Sequence, residues 1–246
     1  MSTNTTENNK TLLSTIKETV LVPIHPAGYP FILGGAVITF VCFLIWELLG
    51  VLALILTFFC VYFFRDPVRI TPQRKGLVIS PADGRVCAIT EGLPLPPELG
   101  GKKEDTDYTR ISIFLSVFDV HVNRVPIDGK IIKTAYNPGK FLNAELDKAS
   151  QYNERASALL ELEDGRQVGF VQIAGLVARR IVTSLTEGDE VEAGERYGLI
   201  RFGSRADIYL PEDVAPLVCV GQYAIGGETV LADMDGTEPP REGKAQ

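Results

Sequence analysis

The chain has 246 residues, room for one sizeable folded domain and a smaller unit but not for several large domains. Its 24 Lys and Arg against 31 Asp and Glu leave a net charge of −7 with no basic stripe, which excludes a nucleic-acid binder. Four scattered cysteines without CxxC spacing (Cys42, Cys60, Cys87, Cys219) and only two histidines (His25, His121) exclude a disulfide framework and a zinc site, and point to a reducing, cytoplasmic side.

Residues 1–30 open polar from Ser2 to Lys10, turn amphipathic over Thr11 to Val22, and then meet Pro23, Pro26 and Pro30. This is not a secretory leader, because the apolar stretch comes late and no small-residue cleavage site follows it. From Phe31 to Phe64 the chain is almost unbroken apolar sequence, with Glu47 its only charge. A single helix over 31–64 would be about 51 Å long at ~1.5 Å per residue, against a hydrocarbon core of ~30 Å. The better reading is a helical hairpin that turns near Glu47–Gly50, where glycine eases the turn and the carboxylate reaches an interface. Whether such a hairpin spans the bilayer or dips into one leaflet stays open at this point. Arg65, Arg69, Arg74 and Lys75 follow directly, placed to attract anionic lipid head groups on the cytoplasmic face.

Beyond Gly76 short β-rich runs alternate with Gly, Pro and Asp turns: Leu77–Ser80, Arg110–Phe118, Lys130–Ala135, Arg155–Glu163, Gln167–Ile173 and Ile181–Leu185. That punctuation predicts a mainly β, antiparallel, barrel- or sandwich-like domain over 65–232. Helix is expected only around Asn143–Gln151 and Leu176–Arg180. Residues 91–109 read as a mobile loop, and 233–246 as a disordered tail.

Four segments carry the chemistry. They are Phe64-Arg65-Asp66-Pro67 with Ser80 to Val86 (SPADGRV), Phe118 to Pro126 (FDVHVNRVP) with Asp128-Gly129, Gly139-Lys140-Phe141 through Asn153-Glu154-Arg155, and Gly188 to Ser204 (GDEVEAGERYGLIRFGS). In this order, behind an apolar segment, they resemble the phosphatidylserine decarboxylase family, in the shorter bacterial and archaeal form, over essentially the whole chain from residue 23. The last segment also has the turn pattern of lipoyl- and biotin-type barrels. It lacks their modified lysine, so the likeness is one of β architecture.

The resemblance implies that the Ser204 hydroxyl attacks the carbonyl of Gly203, that elimination cuts the chain there, and that position 204 becomes a pyruvoyl cofactor. The residue types suit this. Only a side chain with oxygen on Cβ can attack its own amide and then leave by β-elimination, and a preceding glycine tolerates the required backbone. The pyruvoyl ketone would form a Schiff base with phosphatidylserine, drawing off electrons as carbon dioxide leaves and phosphatidylethanolamine is released. The partners implied are that lipid, an anionic membrane surface, and the two self-cleavage fragments, 1–203 and 204–246.

His121 and Asp83 are the helpers the resemblance implies, His121 as base and Asp83 orienting it. Relatives carry a second histidine three residues later, usually given the base role, where this chain has Arg124, which stays protonated and cannot act as a base. Either His121 takes that role itself, or cleavage leans on Ser204 and backbone strain with less help. Arg124 is instead expected to hold the substrate's phosphate or carboxylate. Two rivals are an uncleaved membrane-anchored adaptor and a pyruvoyl decarboxylase for a soluble amino acid; the apolar hairpin argues against the second.

Overall fold

A computed structural model describes residues 22–102, 104, 107–139, 153–175, 180–201 and 203–244. The helix expected at Asn143–Gln151, and that at Leu176–Arg180 apart from Arg180 itself, lie outside these residues. The chain divides into two compact units, Met1–Val68 and Arg69–Gln246.

In the first unit α1 spans Tyr29–Ile45 and α2 spans Glu47–Phe63. Pro30 sits in the first turn of α1, where its missing N–H costs nothing. The hairpin turns at Trp46, whose extended backbone (φ −162°, ψ 129°) separates the helices, slightly before the turn expected at Glu47–Gly50. Close packing explains the small residues within the pair. A Cβ on Gly50 would lie 2.3 Å from the Phe43 ring, and one on Gly35 would lie 2.7 Å from Thr57 Oγ1. Thr57 donates to Ala53 O (2.9 Å), so the 3.0 Å contact between the two threonine hydroxyls is a donation from Thr39. Small residues and an interhelical hydroxyl bond are how apolar helices associate without a hydrophobic gain between them. His25 N donates to Phe64 O, and Asp66 N to Pro23 O, closing the base of the hairpin. Leu33, Phe40, Leu44, Leu48 and Phe58 are left exposed. Each helix has 17 residues, about 26 Å at ~1.5 Å per residue.

The second unit is antiparallel β throughout its paired strands. An eight-stranded curled sheet has the order β12-β2-β3-β11-β7-β6-β5-β9. Its strands are β2 (Gly84–Leu93), β3 (Tyr108–Leu115), β5 (Gly129–Asn137), β6 (Arg155–Glu161), β7 (Gln167–Ala174), β9 (Glu190–Val191), β11 (Ser204–Pro211) and β12 (Tyr223–Ala224). A three-stranded sheet places β10 (Arg196–Ile200) between β4 (Val122–Arg124) and β8 (Ile181–Thr183), and β1 (Leu77–Ile79) pairs with β13 (Val230–Asp233).

Alternation fixes two faces of the large sheet. Ile111, Ile113, Leu160, Phe170, Ile208 and Leu210 share the face that builds the main core with Val78, Val86 and Ile131. Leu159, Val171, Ile173 and Tyr209 line the opposite face, and Leu95 and Leu99 cover them. Within the segment read as a mobile loop over 91–109, residues 93–99 thus form a packed strap. β2 continues to Leu93, a 3₁₀ turn runs Pro97–Leu99, and Glu98 accepts hydrogen bonds from Arg155 and Ser157. Its Pro and Gly content marks turns, while its two leucines supply the apolar burial that pins it. Gly169 makes room, since a Cβ there would lie 2.9 Å from Leu95 Cδ2.

The expected tail also starts inside the fold. Asp233 closes β13, Met234 is buried, and Arg241 Nη1 donates to Leu217 O. Two of the cations expected to face lipid are engaged within the domain: Arg74 pairs with Asp233 at 2.6 Å and Lys75 with Glu163 at 2.5 Å. Replacing Leu99 with Ala should lower the unfolding free energy by about 2–5 kcal/mol, because a cavity opens under the strap. Denaturant titration followed by circular dichroism measures this; a loss below roughly 0.5 kcal/mol is what a loose loop would give.

Candidate active site

Ser204 is the first residue of β11, a central strand, opposite Leu115 on β3 and Ala174 on β7. Ladders on both sides hold its backbone. The residue is fully buried, and its Oγ has no hydrogen-bond partner among the described residues. A buried, unpaired hydroxyl costs free energy, so a serine held this way is a candidate for chemistry. The preceding Gly203 has φ +64°, in the left-handed region that glycine adopts readily. Space is not what selects glycine there, because a Cβ would meet only Val117 Cγ1, at 4.0 Å. The backbone angle is.

His121 precedes β4 and is fully buried. Its Nδ1 lies 2.9 Å from the carbonyl oxygen of Asp119, and its Nε2 lies 3.4 Å from the backbone N of Gly203. A carbonyl only accepts, so Nδ1 carries the proton, and the Nε2 lone pair accepts from the Gly203 N–H, one residue before Ser204. This is the tautomer a general base needs.

The Asp119 side chain builds the turn that makes this possible. Its Oδ2 accepts from Ser116 N and its Oδ1 from the Tyr223 hydroxyl, both at 2.7 Å. Sequence reasoning quoted Asp119 within its motif and gave it no role; the Asp two residues before a histidine was the available signal, as an Asx-type turn former.

Asp83 is placed differently from the expectation. It is buried, but its Oδ2 accepts from Arg69 Nη2 (2.6 Å) and its Oδ1 from Gly226 N (2.8 Å), and it is not hydrogen-bonded to His121. The backbone carbonyl of Asp119 therefore takes the orienting position assigned to Asp83. Burial pushes the Asp83 carboxyl above its usual range, against the opposing pull of Arg69 and the Gly226 hydrogen bond.

Arg124 is also buried, with Nη1 donating to Gly194 O at 2.8 Å. A Cβ on Gly227 would lie 2.6 Å from Arg124 Cδ, so the arginine runs beneath the 225–228 turn. This arm of the guanidinium ties β4 to the turn at Gly194.

Beside His121, Asn123 and Gln172 form a buried polar pair, with Gln172 Nε2 donating to Asn123 Oδ1 at 2.9 Å. On the sheet's other face, Arg205 and Asp207 pair fully buried, with Nη2 donating to Oδ2 at 2.9 Å. Among the described residues no cluster of three or more His, Cys, Asp or Glu could hold a metal ion. A group derived from Ser204 itself fits what surrounds it: an oxygen on Cβ, a left-handed glycine before it and an imidazole lone pair beside the shared peptide.

The family model for phosphatidylserine decarboxylase matches residues 56–232. A curated relative from Cereibacter sphaeroides, "Phosphatidylserine decarboxylase proenzyme", is 56% identical over 228 residues, covering 93% of this chain and 97% of its own. Another of the same name from Ruegeria pomeroyi is 57% identical over 219 residues, covering 89% of this chain and 99% of its own.

If the chain cuts itself at 203–204, as proposed below, replacing Asp119 with Ala should slow that cut by roughly ten- to a hundred-fold, through misalignment of the imidazole. Densitometry of fresh protein on a denaturing gel over time reads it, and Tyr223→Phe should give a smaller effect in the same direction.

Proposed function

The chain belongs to the phosphatidylserine decarboxylase family, and on that premise we propose that it cuts itself between Gly203 and Ser204 and carries a pyruvoyl group at position 204. It is a decarboxylase, and the non-catalytic adaptor is set aside. The observation that supports the cleavage point best is the meeting of three features within the Gly203-Ser204 pair: a left-handed glycine, a buried hydroxyl without a partner among the described residues, and the His121 imidazole hydrogen-bonded to the glycine's N–H.

His121 takes the hydroxyl proton of Ser204, and Oγ bonds to the Gly203 carbonyl carbon. The C–N bond then breaks, giving an ester and a free amine at residue 204. Loss of the Ser204 Cα proton expels the Gly203 carboxylate and divides the chain into 1–203 and 204–246. β11 begins at the cut and stays laddered to β3 and β7 of the larger piece, so the fragments remain one body. The pyruvoyl group, once present, supplies a carbonyl that accepts the substrate's amine and withdraws the electrons freed as carbon dioxide departs. Asp83 and Arg124 act as positioning residues, Asp83 through the 225–228 turn and Arg124 through the turn at Gly194.

The apolar hairpin brings the enzyme to its lipid, at the cytoplasmic face of the cell membrane. Residues Pro26–Ile45 are long and apolar enough to cross a bilayer, with mean hydropathy 2.1 and little of that stretch buried.

Purified protein should run as two pieces, and Ser204→Ala as one full-length chain; a wild-type chain that stays whole yet decarboxylates would falsify the scheme. His121→Ala should block the cut, or spare it and abolish decarboxylation. Replacing Leu44 and Leu48 with Asp should lower co-flotation with phospholipid vesicles while leaving the 203–204 cut intact.

A further inference from the structure

A cavity of about 130 Å³ lies one row of side chains from Ser204 on the same face of the large sheet. On β11 the rows run Ser204, Ala206, Ile208, and their partners on β7 are Ala174, Gln172 and Phe170. β6 continues the last two rows with Ala156 and Ala158. The step from the Ser204 row to the Gln172 row is two residues, roughly 7 Å at ~3.4 Å per residue. Ala156 and Ala158 leave the space that larger side chains would fill, while Phe170 and Leu185 complete apolar walls.

Thr134, Tyr136, Ser157 and Thr183 also line it, and two further polar side chains there each carry a buried atom without a partner among the described residues. Gln172 and Tyr197 both line the cavity and are nine-tenths or more buried. Gln172 Oε1 and the Tyr197 hydroxyl have no hydrogen-bond partner among the described residues. The glutamine's orientation is fixed chemically. Its Nε2 faces two acceptors, Asn123 Oδ1 at 2.9 Å and Val182 O at 3.5 Å, so Oε1 is the atom left over. Tyr197 is held by edge-on packing against Phe170, with ring centroids 5.2 Å apart. Two buried polar atoms without partners cost several kcal/mol unless something satisfies them (about 1–3 each). The cavity is far larger than the ~10–15 Å³ one water needs.

The geometry points to a built water site, with water held by Gln172 Oε1 and the Tyr197 hydroxyl and delivered to the hydrolyses at residue 204. This rests on the self-cleaving reading above. That chemistry consumes water twice. Chain cleavage leaves an aminoacrylyl unit, CH₂=C(NH₂)–CO–, at position 204. Its imine tautomer takes up H₂O: the water oxygen bonds to Cα, the carbon–nitrogen bond breaks, and nitrogen leaves as NH₃, giving CH₃–CO–CO–. Product release has the same balance, with water oxygen bonding to carbon and nitrogen leaving on the lipid amine with its electron pair and two protons. Ser204 is fully buried, and a phospholipid head group drawn up to it displaces bulk water from its own path. A separate polar store behind the reacting carbon meets that demand. Gln172 also joins it to the catalytic side, through Asn123, two residues from His121.

The test uses the full chain, wild type and three variants. Tyr197→Phe removes only the hydroxyl, Ala158→Leu fills the cavity, and Ala158→Ser keeps it open as a packing control. A high-resolution crystal structure of uncleaved Ser204→Ala protein should show ordered water on Gln172 Oε1 and the Tyr197 hydroxyl. Intact mass of the small fragment during maturation should show, for Ala158→Leu, chain cut at the wild-type rate but a species retaining nitrogen in place of the ketone oxygen. Borohydride quenching during turnover should show the lipid-amine adduct dominant in Ala158→Leu and raised in Tyr197→Phe, with steady turnover down roughly ten-fold while the first release of carbon dioxide is unchanged. Tyr197→Phe should not gain thermal stability, since its hydroxyl is satisfied by water. A dry or acyl-filled cavity, a stabilised Tyr197→Phe, or fragment masses and adduct levels matching wild type in Ala158→Leu would each overturn the water site. A wild-type chain that never divides would overturn the self-cleaving reading instead, so the two failures are distinguishable. Where Ala158→Leu does not fold, the Tyr197→Phe adduct and stability measurements decide alone.

Discussion

On the proposed scheme, the peptide bond to be cut lies at the head of a strand that must stay in place. Ser204 opens β11 with ladders to β3 on one side and β7 on the other, while Gly203, just outside the ladder, holds the left-handed backbone. The boundary between regular and irregular backbone therefore falls on the bond to be cut. The left-handed backbone sits on the glycine side, the regular ladder on the serine side. The proposed cleavage would remove a covalent tether, while the ladder beyond residue 204 would still hold β11 between β3 and β7. Arg205 and Asp207, paired and buried on the opposite face, add a second anchor within three residues of the cut. A serine in a surface loop would have the same chemistry available and no means of keeping the product in place.

With the serine fixed, the histidine's electrostatics follow from one backbone oxygen. Asp119 O can only accept, so it sets the proton on Nδ1 and leaves Nε2 basic. A carboxylate in that position would also stabilise the imidazolium; a carbonyl mainly sets tautomer and direction. The two acids near the site divide the work differently from a triad. Asp119 shapes the turn that carries the carbonyl, and Asp83, neutralised by Arg69, clamps the turn at Gly226. Arg124 is tied to Gly194 O and so belongs to the same bracing.

Much of this was legible in the sequence where the signal is local. Gly, Pro and Asp punctuation marked β1, β3, β5, β6, β7 and β8 to within a few residues, and the long apolar run marked the hairpin. The family likeness placed Gly203, Ser204 and His121, which the fold brings together. What sequence did not carry is pairing between distant segments. Asp83 meets Arg69 and Gly226 only because β2, β12 and the chain before β1 converge, and no pattern around Pro-Ala-Asp-Gly announces it. Leu95 and Leu99 look like loop residues because their burial has no period of two or 3.6; the face they cover exists only once β6, β7 and β11 are assembled. His121's orienting group is a main-chain oxygen, which no residue type encodes.

The cavity behind Ser204 is the extreme case, since it is made by what is missing. Ala156 and Ala158 read as ordinary strand residues, and only their registration beside Gln172 and Phe170 turns two absent side chains into volume. The chemistry gives that volume a reason. An apolar site suits a lipid and favours loss of carbon dioxide by excluding water, yet on the proposed scheme the same site must admit water to make its cofactor and to release its product. Both demands are met if water is not diffusing through the lipid's path but is held beside the reacting carbon, few in number and tied to fixed partners. Gln172 and Tyr197 offer such partners from β7 and β10, with one rigid amide and one rigid phenol whose packing leaves little freedom to collapse into the space. A core that closed this gap with leucine would be better packed and would leave the enzyme dry at the step that needs water.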